Sequence, residues 1–157
     1  MDMIDRIIAR EGGAKVTNYS ADPGGVTKYG ISQRAHPTVD VANLTYEQAR
    51  EIYTKEYLVD TRIAELPVGE QLKEAILDFA VHSGPATAVK YLQKLVNVSQ
   101  DGKLGEETFK AVKAFKEPEL QKALAIQRTL FLARQVVAKP TKLSFLIGWL
   151  NRALSFL

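Results

Sequence analysis

The feature that most constrains this chain is its punctuation. Glycine and proline clusters interrupt it at Gly12-Gly13, Asp22-Pro23-Gly24-Gly25, Ser83-Gly84-Pro85 and Gln100-Asp101-Gly102-Lys103-Leu104-Gly105, and single prolines stand at Pro118 and Pro140. Glycine relaxes the backbone and proline removes a donor, so such clusters stop or start helices. Between them the apolar residues recur with a helical period. Residues 3–11 place Ile4, Ile7 and Ile8 at i, i+3 and i+4. A second helix is expected after Leu44, where Thr45 and Gln48 match a capping box and Tyr46, Ala49, Ile52, Tyr53 and Tyr57 share a face to about residue 59. Pro67 suits the first turn of a third helix running to about His82 through Leu72, Ala75, Ile76, Phe79 and Ala80. Further helices are expected over about 85–96 and 106–115, from Pro118 to about 138, and in the segment 143–157.

Residues 14–33 break this pattern. Rich in Gly, Thr, Asn, Asp and Tyr, they read as a loop or small β-hairpin with Asp22-Pro23-Gly24-Gly25 at the turn. The expected fold is mostly α with an α+β flavour, a helical bundle bearing one small β-hairpin or irregular loop near the N-terminus. With 157 residues and no linker or repeat, a single domain is expected, residues 1–157.

Composition excludes several function classes. Apolar residues make up 46% and charged residues 25%, so the chain is not disordered or fibrous. There is no Cys, which excludes disulfides, thiolate zinc sites and a Cys nucleophile. Only two His are present, 46 positions apart, and the Gln100–Gly105 turn has too few acids for a calcium loop, so no metal is expected. No run of 18 apolar residues occurs, so no stable membrane span is expected. The segment from Leu143 to Leu157, with Phe145, Trp149 and Phe156, reads as a core or docking helix with room for weak membrane contact. The N-terminus is acidic and lacks a continuous apolar region, so no signal peptide is expected.

Charge is asymmetric. Residues 1–78 carry 9 basic and 13 acidic groups, and residues 79–157 carry 12 basic and 5 acidic groups. The basic half suits an anionic partner such as nucleic acid, anionic lipid or bacterial wall, or is a solvated Lys-rich surface. No aromatic-basic interleaving supports nucleic acid, so no nucleic-acid partner is expected.

Glu11 is the most informative residue. It follows Ile4 by seven positions and so falls on the stripe of Ile4 and Ile8, where an acid is not expected. It also ends its helix, where the dipole is negative. Desolvation and dipole both disfavour the charged form, and a carboxyl held protonated is a general acid. Gly12-Gly13 remove bulk beside it. Asp22 and Thr27 follow within the loop, and an acid opposite a carboxylate and a hydroxyl suits protonation of a leaving oxygen with a water held on the far side. The same residues also read as a frayed helix end and an ordinary β-turn.

Glu11-Gly12-Gly13 followed by Asp22-Pro-Gly-Gly25-Val-Thr27-Lys-Tyr29-Gly30-Ile31 resembles the signature of glycoside hydrolase family 108, the lysozyme-like N-acetylmuramidases of phages and prophages. The resemblance continues through Asp78-Phe-Ala-Val-His82-Ser83-Gly84, Leu92-Gln93, Asp101-Gly102, Arg128, Phe131, Pro140 and Phe145 to Trp149 and Arg152, and so covers nearly the whole chain. It implies a lysozyme-like fold with a catalytic portion at 1–95 and a helical peptidoglycan-binding portion at 96–157 packed on it. It implies Glu11 as the catalytic acid, with Asp22 and Thr27 completing a Glu/Asp/Thr arrangement. Two positions depart from the family pattern: Ala14 stands where a Tyr is usual after Glu-Gly-Gly, and His82 where an Asn usually precedes Ser-Gly. An aromatic sugar contact at position 14 is then lost, or is supplied elsewhere by Tyr19 or Tyr29. His82 is expected to line the cleft, or to be a helix-terminal histidine favoured by the dipole.

The expected activity is hydrolysis of the β-1,4 bond between N-acetylmuramic acid and N-acetylglucosamine in peptidoglycan, without a cofactor, by a monomeric endolysin. It would be made in the bacterial cytoplasm and reach the wall after release by a holin-type route. The alternatives are a lytic transglycosylase giving 1,6-anhydro products and a non-catalytic wall-binding module.

Overall fold

The computed structural model describes residues 1–17 and 25–157. The chain forms two compact units, Met1–Glu56 and Tyr57–Leu157. The fold is mostly α with one small antiparallel ribbon near the N-terminus, as the punctuation implies.

In the first unit, helix α1 spans Met3–Arg10. Asp2 and Asp5 cap it reciprocally: the Asp5 N–H donates to Asp2 at 3.0 Å and the Asp2 N–H to Asp5 at 2.9 Å. Ile4, Ile7 and Ile8 are buried on one face, each contributing about 1.5–3 kcal/mol by leaving water. Helix α2 spans Tyr46–Tyr53, and Thr45 with Gln48 forms the expected capping box. The two helices are clasped by charge. Arg50 pairs with Asp2 and Asp5, and the Tyr46 hydroxyl donates to Asp5 at 2.5 Å. Beside Arg50, the Asp2 carboxyl is held down to about 2. After Tyr53 the coil widens into a π-helical stretch, Thr54–Val59, so the expected single helix to residue 59 is two kinds of helix in succession.

The ribbon consists of β1, Thr27–Lys28, and β2, Ile31–Ser32, in register Thr27 to Ser32 and Lys28 to Ile31. Its turn is Tyr29-Gly30, with φ of +53° and +77°, the left-handed pair of a type I′ hairpin. Thr17 adds one antiparallel pair to Thr27, with reciprocal N–H to carbonyl bonds of 2.9 and 2.8 Å. The expected turn at Asp22-Pro23-Gly24 lies outside the described residues.

In the second unit, α3 (Glu70–Ser83) and α4 (Pro85–Leu95) meet at Gly84, and α5 (Glu106–Lys113) precedes the long α6 (Glu117–Ala138). A 3₁₀ segment, Pro140–Phe145, leads into α7, Leu146–Leu154. Leu72, Ile76, Phe79, Leu92, Leu120 and Leu124 form the core. Pro67 does not open α3. The helix starts at Glu70 because Gly69 is extended, and its N–H donates to the Glu117 carboxylate at 3.0 Å. Gln93, 1% exposed, fixes the Asp101-Gly102-Lys103 turn by donating to Asp101 at 2.8 Å and accepting from the Gly102 N–H at 2.9 Å. Among the described residues no helix is long and apolar enough to cross a membrane.

Candidate active site

Glu11 is the C-cap of α1, where its N–H still closes the last turn on the Ile7 carbonyl at 3.1 Å. The side chain is half-buried. Gly12 and Gly13 turn the chain sharply away with φ of +97° and +57°, and the Gly13 N–H returns to the Ile8 carbonyl at 3.1 Å. The Gly13 carbonyl then accepts from the Tyr29 N–H at 3.0 Å. That bond ties the tip of the β-ribbon to the end of α1.

Two residues complete the clamp. The buried Tyr53 hydroxyl on α2 donates to the Tyr29 carbonyl at 2.9 Å. A Cβ placed on Gly30 would stand 2.6 Å from the Glu11 Cβ and 2.6 Å from the Tyr53 hydroxyl, closer than atoms pack. Only glycine fits there, and its backbone fixes the position of the Glu11 stem. Thr27 rides on the same ribbon two residues before Tyr29, its backbone held by Thr17, and its side chain is half-buried.

Tyr29 is 8% exposed, its ring edge-on to Tyr46 with centroids 5.8 Å apart. Its described contacts therefore hold the turn. Asp22 and Tyr19 lie outside the described residues. The structure thus joins Glu11 to the Thr27–Tyr29 ribbon, with Gly30 and Tyr53 as positioning residues that patterning missed. A residue pair ending in Gly, Tyr29-Gly30, between the β-branched Val26-Thr27 and Ile31 was the available signal for Gly30.

His82 belongs to the second unit, at the end of α3, and has a different setting. Asp78, one turn earlier, is fully buried and bound by two guanidinium groups, Arg128 at 2.7 Å and Arg152 at 2.9 Å. Burial pushes the Asp78 carboxyl up, but hydrogen bonds and charge from Arg152 and Arg128 overcome this and hold it below its ordinary value. Arg128, 2% exposed, also lies 3.3 Å from His82 Nδ1 and 5.4 Å from the Phe79 ring centroid. A guanidinium only donates, so Nδ1 accepts and the imidazole proton sits on Nε2. Burial, then Arg128 and Arg152, push His82 down to about 4. It is therefore a neutral imidazole, and the expectation of a dipole-stabilised histidinium is corrected: two nearby cations and desolvation outweigh half a charge at the helix end.

Two family models match the chain: Glycosyl hydrolase 108 over residues 4–84 and Predicted Peptidoglycan domain over residues 87–154. Among solved structures, that of Brucella abortus SagA is 32% identical, covers 98% of this chain and 92% of its own, and superposes with a TM-score of 0.75. A comparison with curated proteins finds no match. The chain belongs to glycosyl hydrolase family 108 and is a glycoside hydrolase that acts on the peptidoglycan of the cell wall.

Proposed function

We propose that the chain is an N-acetylmuramidase of the endolysin type, cleaving the β-1,4 bond between N-acetylmuramic acid and N-acetylglucosamine. The observation that carries this reading is the clamp on Glu11: a carboxyl at a helix end, its stem held under a glycine turn by two hydrogen-bonded ties. Such rigidity is what a general acid needs, since proton transfer depends on placement before strength.

Glu11 gives its proton to the glycosidic oxygen as the bond from that oxygen to the muramyl C1 breaks. Asp22 and Thr27 stabilise the positive charge that develops on the ring and hold the water; as that water bonds to C1, the proton it loses returns to the Glu11 carboxylate, directly or by way of Asp22. Tyr29 acts by fixing the turn over Glu11, and His82 contributes to wall binding. Residues 1–95 carry the chemistry and residues 96–157 the helical wall-binding portion. We read the activity as host lysis, with antibacterial action as its consequence, a reading supported by the resemblance of the Glu11 and Thr27–Ile31 segments to phage and prophage enzymes.

The test is incubation with purified sacculi and mass analysis of the products. Wild-type protein should release fragments with reducing N-acetylmuramic acid ends. Glu11→Gln should lower release about 10²–10⁴-fold while the thermal midpoint holds. Wild-type release by a folded Glu11→Gln protein would remove the assignment, and 1,6-anhydro ends would make the enzyme a lytic transglycosylase.

A further inference from the structure

The second unit holds an open cleft of about 450 Å³, lined by His82, Ser83, Phe131, Gln135, Lys142 and Trp149 among others. Its volume falls in the range of small-molecule sites, ~300–1,000 Å³. The lining is unlike a packing defect. Phe131 is braced by Phe79 and Tyr91, with ring centroids 5.6 and 5.5 Å away. Trp149 stands edge-on to His82 at 5.4 Å and stacks on Phe145 at 5.8 Å. The aromatic walls are therefore fixed.

The polar groups are also set in advance. His82 Nδ1 is taken by Arg128, so Nε2 presents an N–H, and it has no protein partner among the described residues. Lys142 Nζ donates to the Gln135 side-chain oxygen at 3.2 Å and lies 5.9 Å from the Trp149 ring centroid. It makes no ion pair among the described residues, and no Asp or Glu occurs anywhere from residue 120 to residue 157. The cleft thus offers a flat apolar face, neutral donors and one cation without a counter-charge. Aromatic faces stack on the C–H faces of sugar rings, hydroxyl and imidazole groups bond acetamido and hydroxyl oxygens, and an ammonium attracts a carboxylate.

We infer that this cleft is a wall-binding subsite for an acetamido sugar carrying an ionised carboxylate, as in an N-acetylmuramyl peptide, with Trp149 as the stacking face and Lys142 as the carboxylate partner. The inference rests on the reading that the chain acts on peptidoglycan. It adds the residues that would select a peptide-bearing muramyl unit over a plain chitin unit.

Trp149 is the sole tryptophan, so its emission reports this cleft alone. Wild-type protein is titrated with the N-acetylglucosaminyl-N-acetylmuramyl tripeptide, which contains no bond of the kind cut, and with chitotetraose, which has acetamido rings but no carboxylate. The muropeptide should change Trp149 emission saturably. Lys142→Gln should weaken it about fivefold while leaving chitotetraose unaffected. Amidation of the muropeptide carboxyls makes the same change from the ligand side, so the test stands even if the variant folds poorly. No saturable response, or equal affinity for the muropeptide and its amidated form, would overturn the inference. Reducing ends released from sacculi by the same protein are scored separately. Digestion without a Trp149 response removes the subsite and leaves the hydrolase, and a Trp149 response without digestion does the reverse.

Discussion

The α-carbon of Gly30 faces the side-chain stem of Glu11 so closely that a methyl group added there would lie 2.6 Å from the Glu11 Cβ. The contact makes a backbone turn the rest against which the candidate acid is held. Gly30→Ala should therefore fail twice. The left-handed φ of +77° costs about 1–2 kcal/mol for a residue with a Cβ, and the methyl must displace Glu11 or Tyr53. The expected result is a lower thermal midpoint and a fall in sacculus digestion beyond what the folded fraction explains. Unchanged digestion would detach the turn from the chemistry.

Tyr53 holds the other side of that turn through its 2.9 Å bond to the Tyr29 carbonyl. Tyr53→Phe leaves a buried carbonyl without its donor and should cost about 1–3 kcal/mol in denaturant unfolding. The same change removes one of the two atoms that crowd a Cβ at position 30. The double variant with Gly30→Ala should therefore lose less stability than the two singles added together. Additive losses would mean that the phenol does not limit the space above Gly30.

The Asp78 carboxylate pairs with two guanidinium groups inside the second unit. Asp78→Asn removes that charge and leaves buried Arg128 uncompensated, at a cost of about 3–5 kcal/mol. A calorimetric midpoint lowered by roughly 10 °C is expected. Because the folded-state Asp78 carboxyl titrates below its unfolded value, its contribution is complete above about pH 4 and is lost as pH falls through the lower folded value. The acid limb of the stability curve should therefore flatten in Asp78→Asn.

Burial disfavours the charged form of His82, and of the groups it faces, the cations Arg128, Arg152 and Lys142 outweigh the one anion, Asp78. Its imidazole should stay neutral through physiological pH, with an NMR titration midpoint near 4. In the unfolded chain the same ring titrates at about 6.5. Between those two values only the unfolded state takes up the proton, so stability should decline as pH falls through that window. Replacing His82 with Gln should remove this decline. A midpoint of about 6.5 in the folded protein would mean that the ring is neither buried nor faced by Arg128.

Much of the architecture was legible because it rests on short-range physics. Thr45 with Gln48 predicted a capping box, and Ile4, Ile7 and Ile8 predicted the buried face of α1, since both depend on residues one turn apart. Glu11 was conspicuous for the same reason, an acid on an apolar period. What escaped depends on residues far apart in sequence. Pro67 looks locally like a helix start, whereas Gly69, held by Glu117, caps the helix and Glu70 opens it. Asp78 sat inside an apolar run, a sign of a buried charge, yet nothing local pointed to residues 50 and 74 positions away as its partners. The helix end alone favours a charged His82, while burial and those same distant guanidinium groups keep the ring neutral.

That cluster also sets how the chain can be cut. The hydrolase match ends at residue 84 and the wall-binding match begins at residue 87, so a division at Pro85 looks natural. Asp78 lies on one side of that line, and Arg128 and Arg152 lie on the other. A swap of C-terminal regions between relatives at this point would part a buried anion from both its counterions. Chimeras should survive only when the incoming region brings its own pair of arginines to the same places.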